Sequence, residues 1–165
     1  MTVIADLDIE AFVATEYPRV VAAVRLITGD REGAADAVQD AIVGLLASPP
    51  ARPIANTAAY ITVTASNKAR DAQRRRGAEG RALRKVGTPP DSTLDALEAL
   101  DVDVRAALDG LPRQQRQVCV LHYLLDESVE SIAESLGVSA GTVKTQLHRA
   151  RAALAARIQK EDHRG

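Results

Sequence analysis

The residues with the most informative chemistry lie between Glu127 and Arg151. Small and polar side chains come first and basic ones follow, at positions that share one side of a helix. Hydroxyl, ammonium and guanidinium groups can donate to base edges and to phosphate oxygens, whereas nothing in this stretch suits bond breaking. The pattern therefore predicts contact with DNA. The polar side consists of Thr142, Lys144, Thr145, His148, Arg149 and Arg151.

Two helices joined by a tight turn are needed to position these side chains. Ser128 and Ser139 are suitable N-caps, and Gly137 stands where the chain must turn. We therefore predict a helix-turn-helix with its second helix in the major groove; the alternative is an ordinary helical hairpin with a solvated basic face. Residues expected to face inward are Ile132, Ala133, Leu136, Val138, Val143, Leu147, Ala150 and Leu154.

Composition indicates an all-α protein. Hydrophobic residues make up 46% of the 165 residues, but aromatic residues only 2%, so the core must be built from Ala, Val, Leu and Ile. The one cysteine, Cys119, excludes an intramolecular disulfide and fits a reducing cytoplasm. Its apolar neighbours favour a structural thiol over a redox switch. We expect no signal peptide, because Asp6 and Asp8 come too early, and no membrane insertion.

The near-neutral net charge of −1 hides a segregated distribution. Basic residues cluster between Lys68 and Lys85 and again between Lys144 and Arg157, while acids collect around Asp36 and between Asp91 and Asp109. Separate basic surfaces of this kind are typical of proteins that contact nucleic acid at two places.

The chain divides into two helical domains. Helices are predicted over about Asp8–Thr28, Arg31–Ala47 and Asn56–Arg76 in a domain spanning 1–76, with Pro18 bending the first helix or beginning a new one. Residues 77–91 are rich in glycine and proline and predict a flexible linker. Helices over about Thr93–Asp109 and Pro112–Leu125 then precede the helix-turn-helix in a domain spanning 92–165. The second helix is expected to bury Ala35, Val38, Ile42, Leu45 and Leu46.

These segments resemble the extracytoplasmic-function group of bacterial sigma factors, the promoter-recognition subunits of RNA polymerase. The resemblance covers nearly the whole chain, and its motifs occur in the family's order. They are Thr28-Gly29-Asp30, Ala35-Asp36-Ala37-Val38-Gln39-Asp40, Asn67 with Arg74-Arg75-Arg76, Leu111-Pro112, Arg116, Ile132-Ala133, Gly141-Thr142-Val143-Lys144 and Arg149-Ala150-Arg151.

The resemblance implies roles for both domains. Asp36, Gln39 and Asp40 share one helix face, which would dock on a coiled coil of the largest polymerase subunit. The alternative is that this face is simply solvated. The polymerase flap would be a further contact of the protein. Asn67 would contact a base of the upstream-ten element as melted single strand, or be a plain surface residue. Arg70, Arg74 and Arg75 would contact the phosphates near that base. The alternative is that the arginine run only makes the end of the helix soluble.

The helix-turn-helix would read the upstream-thirty-five element as duplex. Lys144 could donate to guanine edges, and Thr145 could contact a thymine methyl group. Arg149 and Arg151 would bind phosphates, and His148 would face either a base or solvent. The groove-facing set is Ser139, Ala140, Gly141, Thr142, Lys144, Thr145, His148, Arg149 and Arg151. The resemblance also implies a separate anti-sigma protein, since the sequence shows no extra C-terminal domain to act in its place.

Two of the chain's departures from the family pattern are at Tyr60 and Ser131. Tyr60 stands alone where aromatic residues usually help to open DNA, and Ser131 replaces a glutamate that would complete a capping box with Ser128. We expect the second change to lower local stability modestly.

Two other functions compete with this reading. A helix-turn-helix regulator that never touches polymerase would normally dimerise, but the sequence has no heptad seam. An enzyme acting on nucleic acid would need metal-ligand spacing or a phosphate loop, and neither occurs around His122, His148 or His163. We therefore expect no cofactor, no metal and no catalytic residues.

Overall fold

Proline and glycine determine where the first helices begin and end. In the computed structural model, which describes residues 9–79 and 102–163, helix α1 spans Ile9–Thr15 and α2 spans Tyr17–Thr28. Pro18 lies in the first turn of α2, where its missing N–H costs no hydrogen bond. Of the two alternatives predicted for Pro18, the structure therefore shows the start of a new helix. Gly29 ends α2 in the left-handed conformation, at φ 72°.

Helix α3 spans Ala34–Ala47 and begins three residues later than predicted. The carboxylate of Asp30 explains the delay, because its Oδ1 accepts from the backbone N–H groups of Glu32 and Gly33 and so holds a turn there. The prediction that Leu46 faces inward is wrong, since its side chain is 42% exposed. The buried residues of α3 are Ala34, Ala37, Val38, Ala41 and Leu45.

Helix α4 spans Thr57–Glu79 and is the long central element of the first domain. Asn56 caps its start, with Oδ1 accepting from the N–H of Ala59. Thr62 and Ser66 are fully buried, and their hydroxyls donate to the carbonyls of Ala58 and Thr62 one turn earlier. The helix continues past Gly77, where the linker was predicted to begin; the rest of that linker lies outside the described residues.

The second domain contains α5 (Val102–Asp109), α6 (Arg113–Cys119), a π-helical segment (Val120–Leu124), α7 (Val129–Leu136) and α8 (Ala140–Asp162). Leu111 and Pro112 separate α5 from α6 as predicted. Within 9–79 and 102–163 the regular secondary structure is entirely helical, which confirms the all-α prediction.

Two hydrophobic clusters hold these helices together. One lies within the first domain and joins α1, α2, α3 and α4 through residues such as Phe12, Val24 and Val38. The other crosses between the domains, because Ala23 and Ile27 of α2 and Val63 of α4 belong to the same cluster as Leu121 and Val143. The structure therefore adds a close packing of the two domains to the sequence prediction of two domains and a linker.

Candidate nucleic-acid interface

The turn between α7 and α8 is built by the residues that the sequence singled out. Ser128 Oγ accepts from the N–H of Ser131 at 3.0 Å, and Ser139 Oγ accepts from the N–H of Thr142 at 3.1 Å. Gly137 is left-handed, at φ 68°, and ends α7. The predicted caps and turn glycine are therefore confirmed, and a side chain at Gly137 would strain this backbone.

Ser131 has a different partner from the glutamate that it replaces. Its hydroxyl donates to Oε2 of Glu127 at 2.7 Å, and Glu127 is only 5% exposed. A carboxylate therefore still accepts a hydrogen bond at the start of α7, but it belongs to Glu127, the residue before the N-cap. This hydrogen bond offsets part of the stability loss that the sequence predicted.

The second helix presents its polar side to solvent. Val143, Leu147 and Ala150 are buried, as predicted, whereas Leu154 is half-buried. Val138 was expected to pack inward, and this is wrong, because it is 42% exposed at the turn. Of the predicted groove-facing set only Ala140 is half-buried; the exposed members are Ser139, Gly141, Thr142, Lys144, Thr145, His148, Arg149 and Arg151.

Several of these polar groups are already engaged within the protein: the Ser139 and Thr142 hydroxyls bond to each other, and Thr145 and Arg151 have other partners. The hydroxyl of Thr145 donates to the carbonyl of Gly141 at 2.9 Å, which leaves its methyl group and its oxygen lone pairs for a ligand. Arg151 Nε donates to the hydroxyl of Tyr123, and the guanidinium carbon lies 5.6 Å from the centre of that ring. Sequence reasoning missed Tyr123, because the contact joins residues 28 positions apart.

Helix α4 carries the second predicted set. Asn67, Arg74 and Arg75 are exposed and Arg70 is half-buried. Arg76 differs from its neighbours, because its guanidinium donates to the carboxylate of Asp30 at 2.6 Å. The arginine run thus divides into exposed cations and one cation that fastens α4 to the turn before α3.

Arg113 of α6 lies beside this set and was missed by the sequence analysis. Its Nη2 donates to Asn67 Oδ1 at 3.3 Å and lies 3.5 Å from the carbonyl of Ser66. Burial, and then the nearby cations Arg70, Arg74 and Arg116, lower the pKa of this guanidinium from its usual value. The structure therefore brings a cation of the second domain into the basic cluster of the first.

The third predicted set lies on α3. Asp36, Gln39 and Asp40 are all exposed and follow one face of the helix, as their spacing predicted. Gln39 Nε2 donates to the hydroxyl of Tyr17 at 3.4 Å, a weak contact that leaves its amide oxygen for other donors. An acidic, solvent-facing patch of this kind suits a basic protein surface.

Comparison with known proteins identifies the family. Sequence models of Sigma-70 region 2 and of Sigma-70, region 4 match residues 12–79 and 101–154. The ECF RNA polymerase sigma factor EcfG of Rhodopseudomonas palustris is 31% identical over 136 residues, which are 79% of this chain and 74% of that protein. The chain belongs to the extracytoplasmic-function sigma factors.

Other comparisons agree with this assignment. RNA polymerase sigma factor SigV of Bacillus subtilis is 33% identical to this sigma factor over 88 residues, so the chain spans about half the length of that relative, 53%. The sigma factor RpoE of Bartonella quintana, solved in complex with the anti-sigma factor NepR, has the same fold, with a TM-score of 0.71 at 24% identity. That match covers 92% of this chain and 97% of the other.

The family match also divides the candidate residues. In this sigma factor the α3 and α4 sets fall within the region 2 match and the α8 set within the region 4 match. Among the described residues no group of three His, Cys, Asp or Glu side chains is arranged to hold a metal ion. None of the described helices is long and apolar enough to span a membrane.

Proposed function

We propose that this protein directs core RNA polymerase to specific promoters by recognising two promoter elements and assisting DNA melting. The observation that carries the proposal is the exposed polar side of α8 in a chain that both sigma-70 region models match. The protein would act in the cytoplasm and contribute recognition, with the covalent chemistry left to the polymerase.

The second domain is proposed to read the upstream-thirty-five element as duplex. Lys144 and Thr145 are exposed on the side of α8 away from the buried Val143 and Leu147, so they can face base edges in the major groove. Arg149 and Arg151 would hold phosphates and fix the register. The hydrogen bond that Arg151 donates to the hydroxyl of Tyr123 supports this role, because it fixes the direction of the guanidinium.

The first domain is proposed to engage both the polymerase and the upstream-ten element. The exposed carboxylates of Asp36 and Asp40, with Gln39, form the surface for the polymerase coiled coil. Asn67 would hydrogen-bond an unstacked base, and Arg70, Arg74 and Arg75 would neutralise the phosphates beside it. Their common placement on α4 supports a single path for one DNA strand.

A separate anti-sigma protein is proposed as the regulator. The Bartonella quintana sigma factor with the same fold was crystallised with an anti-sigma factor. For this chain we expect a similar partner that competes with core polymerase. Affinity purification from the native cell should recover it under resting conditions; recovery of core polymerase alone, in both resting and stressed cells, would contradict the expectation.

Run-off transcription with core RNA polymerase on a genomic DNA library tests the main proposal. We expect core enzyme alone to give little specific product and core enzyme with this protein to give discrete promoter-dependent transcripts. The alternative, a regulator that works without polymerase, predicts tight binding of promoter duplex by the purified protein and no binding to core enzyme. A pull-down with core enzyme separates the two functions.

A further inference from the structure

The turn between α2 and α3 contacts the C-terminal part of α4 through two side chains of that helix. Arg76 donates to the carboxylate of Asp30 at 2.6 Å, and Gln73 Nε2 donates to the carbonyl of Thr28 at 3.4 Å. Thr28, Gly29 and Asp30 form one of the motifs shared with the family, and none of the proposed polymerase or DNA contacts uses it. The motif therefore holds a helix that carries proposed DNA contacts.

The carboxylate of Asp30 is fixed in place before Arg76 reaches it. Its Oδ1 accepts from the backbone N–H groups of Glu32 and Gly33, and its Oδ2 accepts from Arg76. The Asp30 side chain is only 12% exposed. A Cβ added at Gly33 would lie 2.5 Å from Oδ2, so the turn leaves no room for a side chain there. Arg76 therefore meets a rigid acceptor, unlike the partner in a typical surface ion pair.

Gln73 and Arg76 continue the buried face of α4. They follow the buried residues Ala65 and Ala69 at spacings of four and three residues, so all four lie on one side of the helix. The opposite side carries proposed contacts to the upstream-ten strand: Asn67, Arg70 and Arg74. Contacts made by one side of α4 therefore set the direction of the DNA-facing side.

The C-terminal part of α4 lacks apolar packing of its own. Ala69 is the last buried residue among the described side chains of this helix, although the helix continues to Glu79. Helical segments without tertiary packing are marginally stable in water and open locally. Over residues 70–77 the contacts to Asp30 and Thr28 therefore take the place of a hydrophobic core.

We propose that Asp30 is a positioning residue for DNA binding, which acts through Arg76 to keep the last turns of α4 helical and aligned. Arg70, Arg74 and Arg75 are then ordered before the phosphates arrive, so less conformational entropy is lost on binding. The effect on DNA rests on the proposed function of these arginines. The order of the helix end follows from the contacts of Asp30 and Arg76 alone.

The variant Asp30→Asn separates positioning from simple electrostatics. It removes a negative charge, which by itself would tighten binding to the DNA polyanion. Asparagine retains an oxygen acceptor for the backbone N–H groups of the turn but is no longer an ionic partner for Arg76. Positioning therefore predicts the opposite sign, with DNA binding weakened about threefold to tenfold by the cost of ordering the helix end.

Glu32→Gln is the matched control, because it removes an exposed carboxylate from the same turn and leaves Asp30 and Arg76 paired. We expect its DNA affinity to equal or slightly exceed that of wild type. Both variants are assayed as holoenzyme with core RNA polymerase. The probe is a fluorescein-labelled DNA with an unpaired upstream-ten element, copied from a promoter that run-off transcription yields. Wild-type or tighter binding by Asp30→Asn would overturn the positioning role.

Hydrogen–deuterium exchange of the full chain, followed by mass spectrometry, measures the order of the helix end without DNA. Asp30→Asn should raise the exchange rate over residues 70–77 about threefold to tenfold and leave residues 57–69 unchanged. Glu32→Gln should leave both segments unchanged. Unaltered exchange over residues 70–77 in Asp30→Asn would show that Asp30 does not hold this part of α4.

Arg76→Gln is a second variant that leaves the backbone contacts of Asp30 intact, should Asp30→Asn fail to fold. It should give the same local rise in exchange and the same weaker binding, with the salt dependence of wild type. A slope of log affinity against log salt that is smaller by about 0.9 would mean that Arg76 itself binds a phosphate, which contradicts the proposal. Arg76→Lys, which keeps a cation for Asp30, should restore part of the affinity.

The two measurements also distinguish this proposal from the proposed function. Absence of promoter-dependent transcripts with core polymerase would remove the proposed function, and the exchange rates would still decide whether Asp30 orders the end of α4. Promoter-dependent transcripts together with unchanged exchange in Asp30→Asn would instead remove the positioning role alone.

Discussion

Arg151 Nε donates a hydrogen bond to the hydroxyl of Tyr123, and the guanidinium carbon lies 5.6 Å from the centre of the same aromatic ring. Tyr123 belongs to the π-helical segment, and Arg151 belongs to α8. The contact therefore joins α8 to the element that precedes the helix-turn-helix. It restricts a long side chain that would otherwise lose much rotamer freedom in the proposed contact with phosphate.

The first prediction concerns this pair. Tyr123→Phe keeps the ring but removes the hydroxyl, so we expect about threefold weaker binding of promoter duplex by the holoenzyme. Arg151→Ala should weaken binding about tenfold and reduce the slope of log affinity against log salt by about 0.9, because one phosphate contact is lost. Fluorescence anisotropy over a salt series measures both, with Arg157→Ala as the control for removing a cation from α8. Equal salt slopes for wild type and Arg151→Ala would exclude a phosphate contact.

The second prediction concerns the reading of base edges by α8. Lys144→Ala and Thr145→Ala should change which upstream sequences are used in run-off transcription, with discrimination at the contacted base pairs reduced by about 1–3 kcal/mol for each lost contact. Arg149→Ala should instead lower affinity for all promoters alike. Unchanged promoter choice in both the Lys144 and Thr145 variants would show that the reading face has been assigned wrongly.

The third prediction concerns docking on polymerase. Asp36→Asn with Asp40→Asn should weaken binding to core enzyme about threefold to tenfold, and the difference from wild type should shrink with added salt. Both side chains are exposed, so the free energy of unfolding should change by less than about 1 kcal/mol. Glu10→Gln on α1 is the matched control, since it removes an exposed carboxylate from a different helix. A similar loss of affinity for core enzyme in the Glu10→Gln variant would mean that net charge, and not the α3 surface, determines binding.

The fourth prediction separates the two partners of one ion pair. Asp30 is mostly buried and accepts from two backbone N–H groups as well as from Arg76, so Asp30→Ala should lower the free energy of unfolding by about 2 kcal/mol. The side chain of Arg76 is 57% exposed, and Arg76→Ala should cost only about 0.5 kcal/mol. Urea unfolding of both variants measures the difference. Equal losses would mean that the ion pair, and not the turn, carries the stability.

The fifth prediction concerns pH. Burial raises the pKa of the Cys119 thiol above its ordinary value near 9.0. The folded state therefore favours the protonated thiol, and its stabilising contribution is complete below the unfolded-state pKa and lost as the pH rises above it. Between pH 8 and pH 10, the free energy of unfolding of wild type should fall relative to that of Cys119→Val, by up to about 1.4 kcal/mol per pH unit. A pH-independent difference would mean that the thiol ionises as easily in the folded protein as in the unfolded one.

Local signals explain why much of the fold was predictable. Pro18, Gly29, Ser128, Gly137 and Ser139 act on the backbone within a few residues of themselves, and each has the predicted effect. The exposed side of α8 followed from helical periodicity, since Val143 and Leu147 at four-residue spacing must face one way.

Periodicity was less reliable where the packing partner was unknown. Leu46 and Val138 are apolar and were expected to be buried, yet both are exposed. On α3 it is Leu45 and not Leu46 that is buried beside the alanines, and Val138 is exposed directly after the turn at Gly137. Such choices depend on neighbouring elements that the sequence of one helix does not specify.

The sequence by itself determined the helices, their caps and the chemistry of the exposed residues, because these depend on interactions between residues close in the chain. Only the tertiary structure decided that Arg113 meets Asn67, that Arg151 meets Tyr123, and that α2 and α4 share a core with the second domain. These contacts join residues separated by 28 to 46 positions or more. Their formation depends on how whole helices pack, which is a property of the folded chain and not of any local pattern.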